Sequence, residues 1–179
     1  MQLDIRFLDS ESGCAEVEHG SLDLAIVTLP NAPRPNLELT PVWRDPLHIA
    51  VARDHPLAGR GQLPVAQLLA HPAVLPARGT YTRQILEQAL GPNAAQVQAR
   101  LATNYLETLR MLVSIGLGWS LLPGTLLGED LELVRIKGLA LSRDLGLVRH
   151  RGRTLSNAAQ ALMVACLESV GGGSQAPIE

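Results

Sequence analysis

The sequence predicts an α/β fold built as two lobes with a cleft between them, and three observations support this prediction. A strand–helix–strand pattern occurs near the start of the chain and again between residues 73 and 123. The segments that follow return the chain to the first lobe. The length of 179 residues, with 46% hydrophobic and 18% charged side chains, suits two small cores and leaves little room for another domain. The predicted boundaries are 1–71 plus 143–170 for lobe I, 72–142 for lobe II and 171–179 for a flexible tail.

The first lobe opens on a predicted strand at Leu3–Leu8, where polar and apolar residues alternate. A short helix at Cys14–Glu18, closed by Gly20, follows this strand. The apolar run Leu22–Leu29 has the composition of a strand that is buried on both faces. Strand, helix and strand in this order predict a parallel βαβ unit.

Two further extended segments belong to the same lobe. They are predicted at Leu37–Trp43 and Leu47–Ala52, and Asp45 and Pro46 are expected to interrupt them. After a turn, the second lobe begins.

The second lobe repeats the strand–helix–strand order. A short strand at Ala73–Leu75 leads into a helix that Thr80 or Thr82 can cap and that stops at Gly91. A strand near Val97–Leu101 follows.

The strongest helical pattern of the chain lies at Asn104–Ile115, with Thr103 or Asn104 as the N-terminal cap. Glu107 stands at the capping-box distance from Asn104. Gly116 and Gly118 end the helix, and a strand is predicted at Trp119–Leu122.

The chain ends in two extended runs and one helix. The runs are predicted at Leu131–Ile136 and Leu145–Val148, and the helix at Thr154–Val170, where apolar residues form a broad stripe.

Charge and cysteine content exclude several classes of protein. The formal net charge is −2, from 15 basic and 17 acidic residues, so this segment lacks the excess of positive charge with which proteins bind nucleic acid. Neither a signal peptide nor a membrane span is evident. Only Cys14 and Cys166 are present, which fits a reducing cytoplasm, with oxidative sensing by this pair as the alternative to two inert thiols.

Catalytic motifs are not found in the sequence. The five histidines show no paired spacing for zinc, and no nucleophile elbow, dinucleotide-binding glycine motif or phosphate-binding loop occurs. We therefore predict no catalytic residue, no metal and no cofactor.

Six successive blocks of the sequence closely resemble the effector-binding domain of LysR-type transcription regulators. They cover nearly the whole chain in the family's order: HGSLDLAIVTLP (19–30), WRDPLHIAVARDHPLA (43–58), HPAVLP (71–76), TYTRQILEQAL (80–90), NYLETLRMLVSIGLGWSLLP (104–123) and RTLSNAAQALM (153–163). The resemblance implies the two-lobed fold of type II periplasmic binding proteins. It also implies a transcription factor that responds to a small metabolite, a carboxylate or an aromatic compound, bound in the inter-lobe cleft.

Candidate effector-binding residues follow from this resemblance and from the affinity of helix N-termini for anions. They are Thr28, Leu29, Arg78, Gly79, Thr80, Thr82, Thr103, Asn104, Gly118 and Trp119. Each has a structural alternative. Thr80, Thr103 and Asn104 can be helix caps and nothing more. Arg78 can be a solvent-exposed turn residue, and Trp119 can be core packing.

The sequence departs from the family's pattern at its start. The winged helix-turn-helix and linker are missing, and Leu3–Leu8 already resembles the second strand of the sensing domain, so that its first strand–helix unit is missing too. We expect a misassigned start codon rather than a true truncation. Without that central strand, the polypeptide is expected to be poorly soluble or to recruit a substitute strand from a partner.

Partners are also implied by the resemblance. Such domains pair side by side in antiparallel fashion, and here the helix from Thr154 and the strand Leu3–Leu8 would contribute. The whole regulator would be a homodimer or tetramer that reaches DNA only through the missing domain. The alternatives are a stand-alone solute-binding protein of the same fold and a small enzyme on that scaffold.

Overall fold

The computed structural model describes residues 4–171 and divides the chain into two compact units. Unit 1 comprises Met1–Arg44 and Asp144–Glu179, and unit 2 comprises Asp45–Arg143. This division places residues 45–71 in unit 2, whereas the sequence assigned them to lobe I. The reason is that strand and core residues of this stretch pack with the middle of the chain. The tail predicted at 171–179 lies almost wholly outside the described residues.

Unit 1 is built around an antiparallel strand pair and a helix. Helix α1 (Ser10–His19) is capped by Asp9, whose carboxylate accepts the Ser12 N–H, and it ends at Gly20, which has φ 87°. Strand β1 (Leu24–Thr28) pairs antiparallel with the end of strand β8 (Leu141–His150). Helix α5 (Asn157–Gly171) completes the unit.

Two predictions for unit 1 are wrong. Residues 4–8 of the predicted first strand form no strand, and Leu3 lies outside the described residues. The predicted parallel βαβ unit is therefore not present, because β1 pairs only with the antiparallel β8 within residues 4–171. For the same reason β1 is not buried on both faces, and the side chain of Ile26 is 47% exposed.

Unit 2 contains a mixed sheet. The end of strand β2 (Leu37–Ala52) pairs antiparallel with β6 (Ser120–Pro123) and with β7 (Leu131–Ile136), and β7 pairs in parallel with the short β3 (Gln62–Leu63).

The interruption predicted at Asp45 and Pro46 is wrong, because β2 runs through both residues. The ladders of β2 with β6 and β7 begin only at Leu47, so neither of these two ladders needs the N–H that Pro46 lacks.

A second layer of unit 2 follows the predicted strand–helix order. Strand β4 (Ala73–Leu75) pairs in parallel with β5 (Ala99–Ala102). The α-helices of this part are α2 (Val65–Leu69), α3 (Tyr81–Leu90) and α4 (Leu106–Ser114). Among the described residues, none of the helices combines the length and apolar character needed to cross a bilayer.

The main core of unit 2 lies between its sheet and its helices. Its fully buried side chains include Leu68, Leu75, Leu86, Trp119 and Leu121. A smaller cluster around Leu109 and Val113 buries the inner face of α4.

Two histidine rings touch beside this core. The ring centroids of His55 and His71 are 4.8 Å apart in an edge-to-face contact. Burial and the neighbouring His71 lower the pKa of His55 below its ordinary value, although Asp54 opposes this shift.

Acidification is therefore expected to destabilise the protein through His55. The unfolded chain takes up a proton at the ordinary histidine pKa, near 6.5, whereas the folded chain does so only at lower pH. The contribution of His55 to stability is thus present above pH 6.5 and is lost as the pH falls through the folded pKa. An NMR titration checks the cause, because His71→Ala should move the pKa of His55 upward. An unchanged value would contradict the role of His71.

One buried hydroxyl offers a route to higher stability. The side chain of Ser120 is 0% exposed, and its Oγ has no hydrogen-bond partner within the described residues. Because a buried polar group without a partner costs about 1–3 kcal/mol, Ser120→Ala is expected to raise the free energy of unfolding by about 1 kcal/mol. Urea denaturation measures this change. A loss of stability would show that the hydroxyl has a partner.

Candidate functional site

The candidate site lies where the parallel strands β4 and β5 end at their carboxyl sides. One hydrogen bond joins the loop from β4 to α3 (76–80) to the loop from β5 to α4 (103–105), and a second joins the latter loop to the last residue of β4. The Ala77 N–H donates to Oδ1 of Asn104 at 3.1 Å, and the Thr103 N–H donates to the Leu75 carbonyl at 3.2 Å. The structure therefore brings two helix-leading loops together in one cluster, which we call the loop cluster.

Helix α3 begins in this cluster with a complete cap. The Oγ1 atom of Thr80 accepts the Arg83 N–H at 3.3 Å, and its hydroxyl donates to the Ala77 carbonyl at 2.9 Å. The Thr82 side chain, in the first turn, is buried, so it is less available to a ligand than Thr80. Arg83 is held inside the unit by Glu87, at 2.7 Å.

Helix α4 begins in a different way from that predicted. Tyr105 occupies the N-cap position, and no side chain caps the helix, so the capping box of Asn104 and Glu107 is wrong. The physical reason is that the Asn104 amide oxygen is used by the Ala77 N–H in the other loop. Thr103 Oγ1 accepts the Tyr105 N–H at 3.3 Å.

The tip of the loop cluster carries an exposed cation. Arg78 and Gly79 are both exposed, and Arg78 forms no ion pair within residues 4–171. Gly79 has φ 91°, in the region that favours glycine, so its role in the turn is a conformational one. Tyr105, which sequence reasoning did not select, is 76% exposed beside Asn104. The only sequence feature that could have indicated Tyr105 is the position of an aromatic residue between a polar loop and a helix.

Gly118 and Trp119 lie outside the loop cluster, at the opposite end of β4. The Trp119 indole N–H donates to the His71 carbonyl at 3.1 Å, and the side chain is 0% exposed. A Cβ on Gly118 would lie 2.3 Å from the Pro72 carbonyl oxygen. Both residues are explained by close packing, which was the structural alternative for Trp119.

Thr28 and Leu29 belong to unit 1, and both side chains are buried. The Thr28 N–H donates to Oγ of Ser10 at 3.1 Å, and the Leu29 N–H donates to the Asp144 carbonyl at 2.8 Å. Their role in effector binding remains a prediction from the sequence.

Within residues 4–171, no group of three or more His, Cys, Asp or Glu side chains could hold a metal ion. The chemistry available at the loop cluster is therefore that of N–H groups, hydroxyls and one guanidinium. These groups can hold an anion but do not include a nucleophile paired with a base.

Comparison with known proteins identifies a matching family and several relatives of this chain. A family model described as the LysR substrate binding domain matches residues 1–171. The HTH-type transcriptional regulator CysL of Bacillus subtilis is 25% identical over 131 residues, which are 73% of this chain and 44% of that protein. The DNA-binding transcriptional dual regulator OxyR of Escherichia coli is 31% identical over 112 residues, 61% of this chain and 35% of that protein. The chain thus spans less than half the length of these curated relatives.

Solved structures resemble this chain over nearly all of its length. The CcmR regulatory domain of Synechocystis PCC6803, in complex with 2-PG, has a TM-score of 0.79 and 24% identity, and the match covers 92% of this chain and 81% of that one. The effector binding domain of QuiR, in complex with shikimate, has a TM-score of 0.77 and 18% identity, and the match covers 91% of this chain and 78% of that one.

Proposed function

The chain belongs to the LysR substrate-binding domain family, and from this membership we propose that it is the small-molecule-sensing part of a DNA-binding transcription regulator. The predicted fold class is confirmed, because its structural neighbours are LysR effector-binding domains, which have the two-lobed periplasmic-binding-protein-like fold. The curated relatives are transcription regulators, which supports a regulatory rather than an enzymatic role.

The effector is proposed to be a small carboxylate, and the loop cluster supports this class. The N-terminal ends of α3 and α4 carry the positive ends of two helix dipoles. Arg78 adds a planar guanidinium that can hold a carboxylate through two hydrogen bonds. Thr80 and Thr103 supply hydroxyls nearby, and the exposed ring of Tyr105 suits an aromatic body on the ligand.

The hydrogen bond between Ala77 and Asn104 is the observation that carries this proposal. Since it ties one helix-leading loop to the other, a ligand held by both loops meets a preorganised site and need not order them on binding. The signal would then arise from a difference in affinity between two arrangements of the protein, which the ligand shifts toward the arrangement it binds better. Thr28 and Leu29 are proposed to contribute from unit 1.

The whole regulator is proposed to act in the cytoplasm as a homodimer or tetramer that reaches DNA through a separate domain. The relative CysL is an HTH-type regulator and the relative OxyR is a DNA-binding regulator, which supports the last point.

Calorimetric titration of the purified chain with shikimate, benzoate and succinate tests the ligand class, with benzamide as the uncharged analogue. At least one carboxylate is expected to bind and to raise the melting temperature, and benzamide is not. Arg78→Ala is expected to weaken that binding by roughly 10- to 100-fold, since a charge-assisted hydrogen bond contributes about 1.5–3 kcal/mol.

The matched control is Arg60→Ala, which removes an exposed loop arginine outside the loop cluster. It should leave the affinity unchanged. Asn104→Ala is expected to weaken binding as well, because the Ala77 N–H loses its partner. Equal losses from Arg60→Ala and Arg78→Ala would show that net charge, and not the loop cluster, holds the anion.

A further inference from the structure

Three polar side chains form a row across strands β2, β7 and β3 of unit 2. Strands β3 and β7 pair Gln62 with Arg135. The ladder between β2 and β7 ends at the pair of Ile49 and Val134, and the next position of the same register sets His48 opposite Arg135. Side chains alternate between the two faces of a sheet, and Ile49 and Val134 belong to the main core. The polar row, His48, Arg135 and Gln62, therefore lies on the other face of the sheet.

A cavity of about 440 Å³ is lined by all three members of the polar row. Its lining also contains Leu133, Leu139 and Leu141, and the Leu133 side chain is 44% exposed. Among the described residues that line it, none is Asp or Glu. Sites for small molecules commonly measure roughly 300–1,000 Å³ and combine apolar walls with a few polar groups, so this cavity has the size and the composition of a binding site.

The fold makes no use of the polar groups of the row. Within residues 4–171, the side chains of His48, Gln62 and Arg135 form no ion pair and no hydrogen bond. Gln62 and Arg135 are exposed, and His48 is half-buried. A guanidinium, an amide and an imidazole all carry N–H donors, and the guanidinium carries a positive charge. The matching ligand group is an anion with several acceptor oxygens.

The apolar residues beside the row define the rest of the ligand. A planar guanidinium holds a carboxylate through two parallel hydrogen bonds, which leaves carboxylate lone pairs for the amide of Gln62 or the ring of His48. The leucine side chains offer apolar surface next to this head group. An ion without an apolar part would leave that surface in water, so the cavity is suited to an acid that carries a hydrocarbon chain.

We propose that this cavity is a second ligand site, which binds a small carboxylate with an apolar chain. The site is separate from the loop cluster, because its lining contains no residue of the loops 76–80 and 103–105. It lies wholly within unit 2, between Pro46 near the start of that unit and Leu141 near its end. The proposal does not depend on what the loop cluster binds.

An NMR titration of the full chain with hexanoate tests the site, because the assigned signals show where the probe binds. The His48 ring protons and the Leu133 methyl groups are expected to shift in a saturable way. Hexanamide, which has the same chain without the charge, should leave them unmoved. Acetate should bind roughly 10-fold more weakly than hexanoate, because it lacks most of the apolar chain. Unmoved signals with hexanoate, or equal shifts with hexanamide, overturn the proposal.

Two charge-removing variants separate the cavity from the general charge of the surface. Arg135→Gln is expected to weaken hexanoate binding by roughly 10- to 100-fold, since it removes a charge-assisted pair of hydrogen bonds. Lys137→Gln is the matched control, because this exposed cation lies two residues further along the chain and does not line the cavity. It should leave the affinity unchanged. Equal losses in the two variants would show that the probe responds only to net charge.

Arg78→Ala distinguishes this site from the loop cluster. The variant alters the proposed effector site but no residue of the cavity, so the hexanoate shifts at His48 and Leu133 should keep their size and midpoint. If these shifts disappeared in Arg78→Ala, the probe would be binding at the loop cluster and the second site would be refuted. Failure of the effector proposal would instead leave these signals and their response to Arg135→Gln as they are.

Discussion

Replacing Trp119 by alanine is expected to lower the free energy of unfolding by about 3–5 kcal/mol, the largest effect of any single change considered for this protein. The indole is 0% exposed in the main core of unit 2, so its removal leaves a cavity. It also leaves the His71 carbonyl without the N–H that it accepts at 3.1 Å. Because domains are commonly stable by only about 5–15 kcal/mol, the variant is expected to lose a large part of its stability.

Trp119→Phe separates the two causes. Phenylalanine retains most of the buried ring volume but lacks the indole N–H, so its loss should be smaller than that of Trp119→Ala and close to the cost of a carbonyl left without its donor, about 1–3 kcal/mol. Urea denaturation followed by circular dichroism measures both variants. If Trp119→Ala and Trp119→Phe lost equal stability, the hydrogen bond and not the packing would hold this part of the core.

Removing Arg143 is expected to have the second largest effect. Its Nε donates to the Asp45 carboxylate at 2.8 Å, and the two side chains are only 11% and 15% exposed. Asp45 and Arg143 are the first and last residues of unit 2, so the pair joins its two ends. Arg143→Met leaves a nearly buried carboxylate without its cation, and we expect a loss of about 2–4 kcal/mol.

The double variant Asp45→Leu with Arg143→Met is the decisive comparison. Replacing both members of a buried pair by apolar groups is often neutral, so the double variant should recover most of the stability lost in Arg143→Met. Denaturant midpoints of the wild type and of the single and double variants measure this coupling. Additive losses in the double variant would contradict a direct interaction between the two side chains.

Local sequence signals predicted the elements of unit 2 well. Strand β7 has the predicted bounds of Leu131–Ile136, and α3 begins at the predicted Thr80 cap and ends before Gly91. These signals are local, since capping and glycine termination act within one turn of the helix. The family resemblance is confirmed by the match over residues 1–171.

Predictions failed where distant residues decide the outcome. The Leu3–Leu8 segment alternates like a strand, but alternation supplies no partner for its backbone, and residues 4–8 form no strand. Asn104 has the chemistry of a cap, yet its oxygen is used 27 residues away by the Ala77 N–H. The sequence alone does not show which N–H the Asn104 amide oxygen accepts. A bond at the start of its own helix and a bond to the other loop would both satisfy that oxygen.

The sequence by itself determined the family, the fold class and most helices and strands, because these depend on periodicity, caps and glycine positions along short stretches of chain. Only the tertiary structure decided the pairing of β1 with β8, the junction of the two site loops and the burial of Trp119. Hydrogen bonds and contacts between segments far apart in the chain determine these features, and no local pattern specifies which distant group will satisfy a given donor.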